Sequence, residues 1–227
     1  MGESTNQSDN QAGKFLTAFV DFLIEQQVLL FGDFVLKSGI KSPYFFNAGQ
    51  FKTGRSLGLL GEFYADKIIQ EKIEFDLLFG PAYKGIPLVS SVAIALFKKY
   101  GVDKPFCFNR KEIKDHGEGG AIVGESLKGR VLIIDDVVTR GTAFRESQKI
   151  IEQAGAKVAG LVITLDRQEP GLSGKTAIEA LESQGILVHK ILTVRDLLKI
   201  LENQKKFEWA ELIKKHLGTV GARFIAP

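Results

Sequence analysis

The sequence predicts an α/β fold with a central, mostly parallel sheet flanked by helices. Three observations carry that prediction. Short runs such as Leu77-Leu78-Phe79 and Val131-Leu132-Ile133-Ile134 are apolar throughout rather than alternating, as strands are when both faces are covered. Segments of helical period follow them, which is the order of a sheet wound with helices. The runs end at Gly80 or at Asp135-Asp136, and ligands of such sheets sit beyond the carboxyl ends of the strands.

Composition bounds the function. The chain has 227 residues, 44% hydrophobic and 25% charged, which excludes a disordered chain, a coiled coil and a collagen-like fibre. Lys plus Arg is 30 against 27 for Asp plus Glu, a net charge of +3. That balance gives no support to a partner steered by strong charge, so no nucleic acid is expected. The single cysteine, Cys107, rules out an intramolecular disulfide and fits a reducing compartment. No apolar run reaches the ~18 residues that cross a bilayer, so no membrane is expected. The start of the chain lacks the basic and apolar regions of a secretory signal. Asn6 stands where a myristoylation site following Gly2 needs Ser or Thr. A cytoplasmic protein is the expectation.

The elements follow in order. Residues 1–13 are polar and expected to be disordered. Residues 14–27 read as an amphipathic helix through Phe15, Phe19, Phe22 and Leu23. Strands at 28–37 and 42–47 are punctuated by Lys37-Ser38-Gly39 and Ser42-Pro43, as in a hairpin. A helix is expected over 55–72, on the period of Leu59, Leu60, Phe63 and Ile68. Then come a strand at 76–80, a helix at 86–100 and strands at 105–108 and 130–134. A helix at 142–154, stopped by Gly155, leads to a strand at 158–165, a helix at 174–184 and a strand at 186–192. Helices over 194–204 and 207–217 close the chain, with Phe207 and Trp209 expected to pack. No repeat or linker divides it, so residues 14–227 are expected to form a single domain with a small N-terminal cap.

Residues 131–143 are the most informative. Four buried-type residues run into Asp135 and Asp136, and the turn Val137, Val138, Thr139, Arg140, Gly141, Thr142 and Ala143 then opens a helix. Turn amides and a helix N-terminus suit a phosphate, while the acidic pair suits sugar hydroxyls or a metal held through water. A bare Asp-Asp merely ends a strand about as often, but two carboxylates beside a buried strand end are costly without a ligand, metal or donor. No P-loop and no dinucleotide fingerprint is present.

Four further segments bear chemistry. Residues 109–120 place Arg110, Lys111, Lys114 and His116 ahead of Gly117, Gly119 and Gly120. Arg110, Lys111 and Lys114 against Glu112 and Asp115 leave a charge of only +1, so the argument is a glycine hinge that lets the cations close over a polyphosphate. The loop at 79–85 carries Tyr83 and Lys84 after a strand, where amides and a point charge could take a second phosphate. Residues 36–50 hold Lys37, Phe45 and Phe46, and residues 166–169 hold Arg167, whose fork matches a carboxylate. Read in isolation, these are a solvated loop, a hairpin with core aromatics and a surface arginine.

The 131–143 stretch closely resembles the signature of the type I phosphoribosyltransferases, and the five segments together resemble the orotate branch of that family, over roughly residues 15–205. The resemblance implies the type I phosphoribosyltransferase fold with a small N-terminal hood. It also implies transfer of ribose 5-phosphate from phosphoribosyl pyrophosphate to N1 of orotate, with Mg²⁺ bridging substrate oxygens and no direct protein ligand. By the same resemblance, Asp135 and Asp136 face the ribose, and residues 137–143, Thr139 among them, hold the 5′-phosphate. Lys84, Arg110, Lys111, Lys114 and His116 neutralise the pyrophosphate, and Tyr83 is among the substrate-binding residues. Lys37 sits near the reacting centre, touching substrate, as a catalytic candidate; Phe45 and Phe46 line the orotate pocket, and Arg167 takes the orotate carboxylate. A homodimer is implied, with the lid 110–120 completing the neighbouring site. Arg140 departs from the pattern, which has a small residue there, and either adds a phosphate contact or points to solvent. Asp136 is the first candidate for a proton, with Lys114 or His116 as alternative donors to the leaving group. A purine or uracil transferase of the same superfamily is one alternative. A nucleic-acid-binding regulator on the same fold is another, and it would want a basic face.

Overall fold

The computed structural model describes residues 3–35, 39, 41–114, 120–170 and 174–223. They form two compact units: one holds Thr53–Asp166 and Lys175–Ile191, the other Met1–Lys52, Arg167–Gly174 and Leu192–Pro227 as far as these are described.

The smaller unit starts with α1 (Glu3–Glu25), which begins well before the expected 14–27. Ser, Asn, Gln and Asp each cost only a few tenths of a kcal/mol in a helix, so the turns anchored by buried Phe19, Phe22 and Leu23 can be extended through them. β1 (Leu29–Val35) and β2 (Lys41–Phe46) pair antiparallel as the expected hairpin, Leu29 opposite Phe46.

The larger unit is built on a six-stranded sheet. Its elements are α2 (Gly54–Gln70), β3 (Leu77–Gly80), α3 (Gly85–Tyr100), β4 (Phe106–Lys114), β5 (Gly120–Gly124), β6 (Arg130–Asp135), α4 (Thr142–Gln153), β7 (Lys157–Asp166), α5 (Ala177–Glu182) and β8 (Val188–Thr193). The strand order is β5-β4-β3-β6-β7-β8. β3 runs parallel to β4 and β6, and β6 parallel to β7. Val131, Leu132, Ile133 and Ile134 of β6 are all 0% exposed, each worth roughly 1.5–3 kcal/mol of burial. Val131 and Ile133 share one core with Phe79, Leu161, Ile163 and the α4 residues Phe144 and Ile151. Alternation turns Leu132 and Ile134 to the opposite face.

Two expectations need correction here. β4 extends to Lys114, and β5, an edge strand unforeseen in the sequence, pairs with it antiparallel, Phe108 opposite Val123 and Asn109 opposite Ile122. The glycines around it read as a hinge loop, yet Ile122 and Val123 supply enough β-forming side chain for an edge strand. The helix expected over 174–184 shrinks to α5, because Thr176 closes its start with a capping box to Glu179.

The smaller unit is completed by α6 (Val194–Asn203) and α7 (Phe207–Arg223). α6 packs on α1, and α7 on β2. Trp209 packs as expected, its ring stacked on Phe31 at 4.2 Å between centroids. Phe207 does not: it is 59% exposed, at the first residue of α7.

Candidate active site

β6 carries the acidic doublet to the carboxyl edge of the sheet. Asp135 Oδ1 accepts the Asp136 amide at 2.9 Å, and Asp136 Oδ1 accepts the Val137 amide at 2.8 Å. The second Asp136 oxygen accepts Lys84 Nζ at 2.7 Å. The main chain beneath is pinned as well. The Tyr64 hydroxyl donates to the Asp135 carbonyl at 2.7 Å and lies 2.6 Å from Thr164 Oγ1. The Thr164 amide donates to the Asp136 carbonyl at 2.9 Å. Burial above all, then the charges of Asp136 and Asp135, lifts the Tyr64 phenol well above its ordinary range against the opposing Thr164 bond, so it stays a donor. Burial first, and Asp136 beside it, raises the Asp135 carboxyl above the usual carboxylate range, with Lys84 pulling the other way.

The turn after the doublet ends on an unguarded helix start. Gly141 takes the N-cap position of α4 at φ 69° with no side-chain cap, a backbone that L side chains rarely adopt. α3 likewise begins at Lys84 without a side-chain cap. In contrast, α2, α5 and α6 are closed by capping boxes from Thr53, Thr176 and Thr193. At α4, which follows β6, the orphan amides of the first turn are therefore left for an external acceptor, whereas in α3 the Gly85 and Ile86 amides already donate to the Pro81 and Tyr83 carbonyls at 2.9 and 3.3 Å. Along the turn Val137 and Val138 are half-buried, while Thr139, Arg140, Thr142 and Ala143 are exposed. The Arg140 carbonyl accepts Arg145 Nη2 at 2.5 Å, leaving its own side chain to solvent.

The β3 loop is held equally closely. A Cβ on Gly80 would lie 2.3 Å from the Gly85 carbonyl oxygen and 2.6 Å from Val89 Cγ1, so only glycine lets α3 approach the strand end. Asn109 of β4 accepts the Ala82 amide through Oδ1 at 2.8 Å. Tyr83 is exposed, with Lys111 Nζ 5.1 Å from its ring centre. The structure thus brings Asp135, Asp136, residues 137–143, Tyr83, Lys84, Arg110 and Lys111 into one unit. Lys37 and His116 lie outside the described residues, as does the side chain of Lys114.

The other unit holds Arg167, Phe45 and Phe46. The Arg167 fork does meet a carboxylate, but one of this chain. Its Nε and Nη2 reach Glu169 Oε1 at 3.1 and 2.7 Å, and Nη2 also donates to Ser42 Oγ at 3.1 Å. Its guanidinium carbon stands 4.4 Å from the Tyr44 ring centre. His216 Nε2 approaches the same Glu169 oxygen at 3.2 Å. Burial works to raise the Glu169 carboxyl, yet the His216 and Arg167 bonds and charges outweigh it and hold the group below its usual range. Phe45 stacks on Phe34 at 5.5 Å. Sequence reading misses Tyr64, Thr164 and His216. Tyr64 looks like one more residue of an apolar helix stripe, and His216 stands in a stretch that carries no motif.

Two carboxylates on a pinned strand end, a lysine and the open helix start of α4 are a set of groups for a sugar bearing anionic substituents. Comparison with known proteins agrees. The phosphoribosyl transferase domain family matches residues 47–188. An orotate phosphoribosyltransferase of Salmonella arizonae is 56% identical over 205 residues, 90% of this chain and 93% of that one. The one from Salmonella newport is 55% identical over the same shares. In structure, the orotate phosphoribosyltransferase of Francisella tularensis aligns with a TM-score of 0.81 at 39% identity, covering 89% of this chain and 98% of its own. That of Mycobacterium tuberculosis in complex with 5-phospho-alpha-D-ribosyl 1-diphosphate shares the fold at a TM-score of 0.61 and 18% identity, covering 81% and 98%.

Proposed function

This chain belongs to the phosphoribosyltransferase family, on its orotate branch, and from that premise we propose how its residues perform the reaction. Ribose 5-phosphate passes from phosphoribosyl pyrophosphate to N1 of orotate, giving orotidine 5′-monophosphate and pyrophosphate in pyrimidine biosynthesis. The bond from C1 to the pyrophosphate oxygen breaks as the bond from C1 to N1 forms, through an oxocarbenium-like state. The observation that carries this reading is the Asp135-Asp136 doublet beside the uncapped start of α4.

The protein's task is electrostatic. Asp135 and Asp136 hold the ribose hydroxyls and offset positive charge growing on the ring. The amides of residues 137–143 and the Thr139 hydroxyl take the 5′-phosphate. Lys84, Tyr83, Arg110 and Lys111, with Lys114 and His116 of the lid, receive the pyrophosphate as charge accumulates on it, and Lys114 or His116 supplies a donor to the leaving oxygen. Lys37 touches substrate near the reacting centre. Arg167 reads the orotate carboxylate, and Phe45 and Phe46 line the ring's pocket, partly through their main chain. For a proton handled by a protein carboxylate Asp136 is the first candidate; what supports Asp135 in its place is that both Asp136 oxygens already accept hydrogen bonds.

The donor set fits Mg²⁺ held indirectly. Among the described residues no group of three or more side chains could cage a metal, but adjacent carboxylates facing substrate oxygens suit a hard cation that keeps its waters. Asp135 and Asp136 would hold it through water, and it would neutralise the pyrophosphate. The enzyme works as a cytoplasmic homodimer whose lid 110–120 completes the neighbouring site. Ile94 and Phe97, 55% and 58% exposed on α3, supply apolar surface for such an association.

The test is the ultraviolet loss of orotate on adding phosphoribosyl pyrophosphate and Mg²⁺, with uracil and hypoxanthine run beside it. Turnover of either alternative base in preference to orotate would reject the substrate. Arg167→Ala should raise the KM for orotate and spare that for phosphoribosyl pyrophosphate. Lys114→Ala should lower kcat by ~10²-fold, and a near-normal kcat would remove the lysine from the transition state.

A further inference from the structure

We propose that Glu169 and His216 are positioning residues that aim Arg167 at the carboxylate of orotate, so that α7 takes part in substrate recognition; this rests on the reading above. An arginine carries five N–H donors in a rigid plane. Arg167 spends those of Nε and one side of Nη2 on Glu169, and Nη2 also meets Ser42. Among the described residues no acceptor meets Nη1. The plane is fixed a second time by the Tyr44 ring, 4.4 Å from the guanidinium carbon. A guanidinium anchored at one edge and one face has its remaining nitrogen, Nη1, fixed in direction, so that its N–H groups are held ready for a charge-assisted bond to a carboxylate.

Glu169 needs anchoring in turn. All three donors, Arg167 Nε, Arg167 Nη2 and His216 Nε2, converge on Glu169 Oε1. His216 is 7% exposed, and its ring stands edge-on to Tyr44, with 6.2 Å between centroids and 88° between planes. The histidine therefore holds Glu169 by a hydrogen bond and Tyr44 by packing, and both of these touch Arg167. A carboxylate paired with arginine alone would also cancel the charge that attracts a second carboxylate. The third donor, from His216, shares that oxygen's density and leaves more of the guanidinium's attraction for a ligand. A solvated surface ion pair would show neither the burial nor the convergence: the side chains of Arg167 and Glu169 are only 13% and 16% exposed.

The experiment measures orotate KM, phosphoribosyl pyrophosphate KM and kcat for the full-length enzyme and for Glu169→Ala, Glu169→Gln, His216→Ala and His216→Gln. Loss of a charge-assisted partner corresponds to roughly ten- to a hundredfold. Glu169→Ala should raise orotate KM by about that factor and leave phosphoribosyl pyrophosphate KM within about twofold. His216→Ala should shift orotate KM the same way by less, and His216→Gln, which still offers an N–H to Glu169, should restore most of the difference. Glu169→Gln keeps the shape and an acceptor oxygen, so it decides the matter if the alanine variant does not fold; an orotate KM equal to the parent's there would overturn the proposal. So would an equal rise in both KM values, or a fall in kcat alone. An unaltered enzyme that does not consume orotate would overturn the functional reading first and this inference with it, and so is told apart from a failure confined to the variants.

Discussion

Tyr64→Phe removes one oxygen atom from beneath the acidic doublet, and its cost follows from the hydrogen bonds. Tyr64 is 0% exposed, and phenylalanine keeps its ring, so packing is preserved. What is lost is the donor to the Asp135 carbonyl at 2.7 Å and the partner of the Thr164 hydroxyl at 2.6 Å. Thr164 is itself 0% exposed, so its hydroxyl has no water to turn to. Leaving buried groups unsatisfied costs about 1–3 kcal/mol. For a chain of this size that lowers the melting temperature by roughly 2–12 °C. Urea titration at constant m-value and thermal unfolding both read it. The companion variant Thr164→Val sharpens the test. Removing both hydroxyls leaves no orphan between them, so the double variant should be less destabilised than the sum of the singles. A loss below ~0.5 kcal/mol for Tyr64→Phe, the range of an indifferent surface change, or strict additivity in the cycle, would refute the idea that this phenol anchors the strand end.

Asp135 yields a pH dependence. Its carboxyl is pushed up from the ordinary 3.8 to about 7, so the folded chain binds that proton more tightly than the unfolded one. The stability this contributes is present below about 4 and is lost as pH rises through about 7. Asp135→Asn should therefore melt above the parent at pH ~8, with the gap closing toward pH ~4, while turnover collapses; parallel melting curves at every pH would remove the claim. Lys84→Ala should raise the KM for phosphoribosyl pyrophosphate about tenfold, the scale of one charge-assisted contact. Because its partner Asp136 is 9% exposed at the side chain while the lysine is 63% exposed, leaving that carboxylate without its donor should also cost about 1–3 kcal/mol of stability, and an unchanged KM would recast the lysine as structural. Gly80→Ala puts a Cβ 2.3 Å from a backbone oxygen, so soluble folded protein should be lost or destabilised by more than ~4 kcal/mol; a variant melting like the parent would contradict the tight approach of α3.

Residues 131–143 told most of the story in the sequence because everything they need is local. An unbroken apolar run means a strand covered on both faces, and carboxylates at its end mean a polar edge. A Gly before a helix lacking a side-chain cap means open amides. The 115–119 segment and Lys37 were equally legible as chemistry, through the family resemblance, although they lie outside the described residues. β5 was not legible, since an edge strand among glycines has too little periodicity to announce itself and exists by pairing with β4.

By itself, then, the amino-acid order determined the α/β class, the strand and helix succession and the doublet with its turn, because hydrophobic period and turn chemistry act over a few residues. Only the tertiary structure decided who supports whom. Tyr64 finds the Asp135 carbonyl 71 positions away and Thr164 100 positions away. Arg167 meets Ser42 across 125, and His216 reaches Glu169 across 47. Such pairings arise when whole elements pack, and the free energy that selects them belongs to burial summed over the units, which no window of sequence contains.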